Sequence, residues 1–110
     1  MDKVNIPASF DEISEHWCQK IVGEANGQLF KLAKGEGATN WHKHDDQDEL
    51  FIIYDGRVTI HLRDQEIELR EGDLFVVPRG VEHRPIAHGE ACFLVVGSTI
   101  TSTPEGGKPN

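Results

Sequence analysis

Residues Trp41–Gly56 read WHKHDDQDELFIIYDG, and this stretch decides the fold and the chemistry together. His42 and His44 are two apart, which in extended backbone puts both imidazoles on one face with their Cα atoms roughly 6.5–7 Å apart. Both rings can then reach one ion. Glu49 follows a short acidic segment and opens the apolar run Leu50 to Tyr54, so it stands at a strand start where a loop can fold it back. His83 lies downstream in GDLFVVPRGVEH, after an apolar strand and a Pro78-Arg79-Gly80 turn. Three imidazoles and one carboxylate suit a divalent first-row transition metal. The expected ligand set is therefore His42, His44, Glu49 and His83, holding one ion of Fe, Mn, Ni, Zn, Co or Cu.

Working outward, the pattern is one of short strands and glycine turns. Asn26-Gly27 carries the strongest hairpin signal, because both central residues of a type I′ turn need positive φ. It joins a strand expected over residues 17–22 to a return strand over 28–33, which Gly35-Glu36-Gly37 is expected to break. Leu50 to Tyr54 is apolar on both faces, as for a strand covered by the interior on one side and by a second layer or partner chain on the other. Past Asp55-Gly56, Arg57 to Arg63 alternates strictly and sends Val58, Ile60 and Leu62 inward. Strands over 66–69, 74–77 and 91–96 follow. At the N-terminus, residues 1–6 read as a short edge strand. Ser9-Phe10-Asp11-Glu12 has the form of a capping box and predicts a short helix from Phe10 to His16. The last ten residues, 101–110, lack apolar side chains and read as a flexible tail beyond a single domain of residues 1–100. The chain as a whole predicts an antiparallel sandwich or barrel.

The motif residues resemble those of the cupin family. Its first motif, HxH followed by Glu and Gly, is matched by His42, His44, Glu49 and Gly56; its second, Gly, then PxG and His, is matched by Gly72, Pro78, Gly80 and His83. Gly35 and Gly37 flank the expected position of the opening glycine by one residue, and Ala87 stands where the second motif often carries Asn. The resemblance implies an all-β, antiparallel double-stranded β-helix, the jelly-roll barrel, with the short helix added at its N-terminus. It implies a metal site but no particular reaction.

Composition narrows the function. A formal net charge of −8 over 110 residues, with no basic stripe, argues against nucleic acid as partner. No apolar stretch is long enough to span a bilayer and the first ten residues lack the pattern of a signal peptide, so no membrane and a cytoplasmic location are expected. Cys18 and Cys92 form no CxxC pair and read as two reduced, partly buried thiols. Neither has a histidine placed to make it a nucleophile.

His16, His61 and His88 read as surface or core residues, and Asp45, Asp46 and Asp48 as a solvated loop. Trp41 points away from the ligand face. Arg79, Tyr54 and Arg84 are secondary candidates for substrate contact. Four protein ligands on an octahedral ion leave two adjacent positions, which with Fe(II) would suit a dioxygenase acting on a small oxygenated metabolite. With Mn, Ni, Co or Zn they would suit a Lewis-acid isomerase or lyase on a sugar or keto acid. A non-catalytic ligand-binding module is the alternative from another class. No protein group suggests itself as acid or base. The two-sided apolarity of Leu50 to Tyr54 adds the expectation of a homodimer.

Overall fold

Asn26 and Gly27 take φ of 54° and 75°, so the predicted tight turn forms and pairs Ala25 with Gln28. It joins β1 (Lys20–Ala25) to β2 (Gln28–Ala38) in a computed structural model that describes residues 2–102. β2 does not stop at Ala33. Gly35 and Gly37 absorb a bulge in the ladder to β7 instead of breaking the strand. Gly35 is needed there for a second reason: the Trp17 ring lies against it, and a Cβ would sit 2.7 Å from the ring's Cη2.

β3 (Glu49–Asp55), β4 (Arg57–Leu62), β5 (Glu66–Arg70) and β6 (Leu74–Val77) lie close to the places expected from the sequence. Gly56, at φ 88°, makes the turn from β3 to β4. β7 (His83–Gly97) is the longest strand and holds the roll together. Its first part pairs with β4, its second with β3, and both parts with β2, on either side of Gly89 at φ 72°. Strand order is β1-β2-β7-β3-β6, with β5 reached through β4, and every pairing is antiparallel. The result is the jelly-roll barrel.

The inward positions are Val58, Ile60 and Leu62 of β4, packed with Phe51, Phe93 and Val95. Each such side chain contributes about 1.5–3 kcal/mol on burial. A smaller cluster outside the barrel seats Phe10 and Ile13 on Leu32.

The N-terminal expectations need correction. Residues 2–5 form no strand, and the helix, α1 (Ile6–Asp11), begins four residues before the place expected. Asn5 is its N-cap, its Oδ1 accepting from the Ala8 N–H at 2.9 Å, and Pro7 occupies the first turn, where a missing N–H costs nothing. Glu12 closes the helix and does not open it. β1 also starts later than expected, because Trp17 takes φ 65° and donates its N–H to the Lys34 carbonyl at 2.6 Å. Thr101 and Ser102, expected to open the tail, are anchored to the barrel; the rest of that expectation, residues 103–110, lies outside the described residues. Both cysteines are free, but Cys18 is exposed. No described helix is long and apolar enough to cross a membrane.

Candidate metal centre

His42 and His83 face each other in a two-residue antiparallel bridge, exchanging N–H···O bonds of 3.0 and 2.9 Å. The Pro78-Arg79-Gly80 turn brings this about. Gly80, at φ 79°, donates its N–H to the His44 carbonyl at 2.8 Å, so the HxH segment lies beside the turn and the start of β7. Glu49 enters from the first residue of β3, held opposite Val77 of β6. One donor atom from each of His42, His44, Glu49 and His83 lies within 4.8 Å of the others. A metal with bonds of about 2.1 Å keeps opposite donors roughly 4.2 Å apart, so a small contraction closes this set on an ion. His44, Glu49 and His83 are buried and His42 is half-buried.

The hydrogen bonds around the rings fix which nitrogen faces inward. His42 Nδ1 lies 2.6 Å from the Asn40 carbonyl and His83 Nδ1 lies 2.9 Å from the Val81 carbonyl. A carbonyl oxygen only accepts, so each Nδ1 carries hydrogen and each Nε2 of a neutral ring presents a lone pair. His83 Nε2 nonetheless sits 3.2 Å from Glu49 Oε1, and His44 Nε2 lies 3.5 Å from Glu49 Oε2. A lone pair there would repel the carboxylate oxygen, so each contact calls for a positive charge or a hydrogen between the two groups, which either a proton on Nε2 or a bound cation supplies. The donor set fits a divalent transition metal on this ground as well as on its chemistry.

Burial pushes the Glu49 carboxyl up. In the metal-free chain, with protons on the rings, hydrogen bonding by His83 and Thr101 and the charges of His44 and His83 more than offset this and hold it below the ordinary carboxylate range. Glu49 is therefore available as an anionic ligand at neutral pH.

Glu49 and His42 open onto a small cavity walled by Trp17, Phe51, Phe93 and Val95, with Thr101 and Gln19 as polar edges. The cavity is small, about 20 Å³, with room for one or two water molecules. Among the described residues its lining includes no lysine or arginine and no carboxylate besides Glu49.

The secondary candidates lie elsewhere. Arg79 is exposed and paired with Asp48 at 3.7 Å, and the same Asp48 oxygen accepts the Arg79 N–H at 2.8 Å. Tyr54 stacks on Phe10 outside the barrel. Trp41 faces outward as expected, packed by His61 at 4.9 Å and by the guanidinium groups of Arg63 at 3.8 Å and Arg84 at 5.6 Å. Asp45, Asp46 and Asp48 are exposed. The carbonyls of Asn40 and Val81 accept from the ring N–H groups of His42 and His83. Sequence reasoning missed these carbonyls, together with Gln19, Gln47 and Thr101. A glutamine or threonine carries no signal of its own in sequence; its role appears only with its distant partner.

A family model described as Cupin domain matches residues 28–97. The protein YdbB of Bacillus subtilis (strain 168) is 35% identical over 93 residues, which cover 84% of this chain and 82% of that protein. Among solved structures, a cupin-2 domain containing protein from Shewanella frigidimarina superposes with a TM-score of 0.82 at 40% identity, covering 84% of this chain and 91% of that one. The protein NMB1881 from Neisseria meningitidis does so with a TM-score of 0.80 at 26% identity, over 89% of this chain and 100% of that one.

Proposed function

The chain belongs to the cupin family, and from that premise we propose that it is a cytoplasmic, homodimeric metalloenzyme of the dioxygenase type, acting on a small oxygenated metabolite. His42, His44, Glu49 and His83 hold one divalent transition metal ion. The observation that carries the reading is the convergence of one donor atom from each of the four side chains within 4.8 Å of one another, with Nδ1 of His42 and of His83 committed to carbonyls. That arrangement turns the Nε2 atoms of both rings inward as donors for one cation.

When bound, iron(II) would supply redox chemistry toward dioxygen and a substrate with neighbouring oxygens. The chain's own residues do the rest. The carbonyls of Asn40 and Val81 keep the His42 and His83 rings turned so that Nε2 points at the ion. Glu49 offers one buried negative charge, which leaves a net positive centre able to attract anionic substrate oxygens. Trp17, Phe51, Phe93 and Val95 exclude bulk water from the space beside it. Among the described residues that space is lined by no acid or base beyond the four candidate ligands, which favours oxidative chemistry over an isomerase that must shuttle a proton.

Elemental analysis of protein purified without a chelating tag tests the site first. About one equivalent of metal is expected in the parent, and a large loss in His42→Ala and His83→Ala, each with the circular dichroism of the folded barrel. Unchanged metal in both variants would sink the assignment. Oxygen uptake by the iron-loaded protein with catechols, flavonols and diketones then tests the reaction. No uptake, with metal bound, leaves the ligand-binding module as the better reading.

A further inference from the structure

The chain leaving β7 does not simply run off the barrel. Residues 98–102 cross behind Glu49 and are held by two glutamines. Gln47, from the loop between His44 and Glu49, accepts the N–H of Ser98 at 2.7 Å and donates to Thr99 Oγ1 at 2.6 Å. Gln19, from the segment before β1, accepts the Thr101 N–H at 2.8 Å through its Oε1 and donates to Thr101 Oγ1 at 2.8 Å through its Nε2. Ser102 Oγ donates to the Trp17 carbonyl at 2.6 Å.

These bonds fix the direction of one hydrogen. Because Gln19 Oε1 is committed to a backbone N–H, its other amide atom is the nitrogen, which only donates. Thr101 Oγ1 therefore accepts from Gln19 and keeps its own hydrogen for another partner. The Glu49 carboxylate borders the same small cavity as Thr101, and the Thr101 side chain is among the groups that hold it ionised. Thr101 is 2% exposed and shares the cavity wall with Glu49 and His42, so bulk solvent has little access to the hydroxyl.

We propose that Thr101 is a positioning residue for Glu49, aimed by Gln19, so that the segment after the last strand sets the metal affinity of the centre. The proposal rests on the metal reading above. A buried carboxylate with one oxygen tethered has fewer orientations to lose on binding an ion. Removing an outer partner of a ligand costs about 10–100-fold in metal affinity.

Titrating the full chain with Co²⁺ against a competing chelator, and recording the visible absorption of the cobalt form, reads this without any assay of turnover. Thr101→Val keeps shape and loses the hydroxyl; it should weaken Co²⁺ binding about 10–100-fold and change the absorption band. Thr101→Ser restores the donor and should bind within about 3-fold of the parent, as a purely space-filling role would not require. Gln19→Leu should weaken binding as well, and the Gln19→Leu, Thr101→Val double variant should be no weaker than Thr101→Val alone, because both act through one hydrogen bond. Parent-like affinity in a folded Thr101→Val variant, or Thr101→Ser as weak as Thr101→Val, overturns the proposal. Should Thr101→Val not fold, parent-like affinity in Gln19→Leu overturns it instead. A parent chain that binds no cobalt overturns the metal reading itself, a result distinct from all of these.

Discussion

Lysine seldom loses all contact with water, yet Lys31 of β2 is wholly buried, with Nζ donating to the Thr99 carbonyl. Burial lowers its pKa from 10.5, and the charge of Glu49 only partly restores it. A folded pKa below the unfolded one means that the unfolded chain holds more protons in the window between them, so this residue makes stability rise with pH there. In metal-free protein, urea unfolding at steps from about pH 8 to 10.5 should show the parent gaining on Lys31→Met as pH rises. Parallel curves for the two proteins would show that Lys31 titrates alike folded and unfolded. At neutral pH the two should differ by no more than about 1–2 kcal/mol, because methionine fills the space without a charge to desolvate but leaves a carbonyl unpaired. Nothing in the sequence distinguishes Lys31 from the exposed lysines, since its burial depends on a segment 68 residues away. His42, His44, Glu49 and His83 were legible for the opposite reason. Their spacing is imposed locally by one HxH segment, one strand start and one Pro-x-Gly turn.

At the scale of elements, the same contrast separates what was read correctly from what was displaced. The Asn26-Gly27 hairpin and the alternation of β4 and β5 depend on near neighbours and appear where expected. The helix is displaced because two caps compete within five residues, and Asn5 with Pro7 wins over Ser9 with Glu12. Its start four residues earlier brings Phe10 onto Leu32. Asn5→Ala should therefore lower stability by about 1 kcal/mol, a fall of roughly 4–8 °C in Tm. Ser9→Ala, inside the helix, should change it by less than about 0.5 kcal/mol. Equal losses in thermal melts of the two variants would return the cap to Ser9. The first part of β7, His83 to Glu90, was not read as a strand because its inward residues are His83, Pro85 and Ala87. Their low apolarity belongs to the site: this half of the strand carries a ligand and borders the cavity through Pro85.

For the whole molecule, the unfinished surface is the outer face of β7, β3 and β6. Phe30, Val96, Leu50 and Val76 stand in register across four strands, and beside them run Leu94, Ile52 and Leu74. α1 covers the Leu94 end, while Leu74 and Val76 remain 55% and 39% exposed. No charged residue stands in either row. A chain of net charge −8 repels its own copies, so a twofold contact, which sets each patch against itself, is tolerable only where the patch is neutral. This face meets that condition, and a second copy is the occupant we propose for it. Light scattering at micromolar concentration should give twice the 12.3 kDa chain mass. Leu74→Glu should bring it to the monomer by placing two carboxylates across the axis, without loss of bound metal, since Leu74 faces away from the centre. A monomeric parent would end the dimer proposal. A Leu74→Glu variant that stays dimeric would move the contact to another face, and the strongest remaining claim would be the open edge of β6.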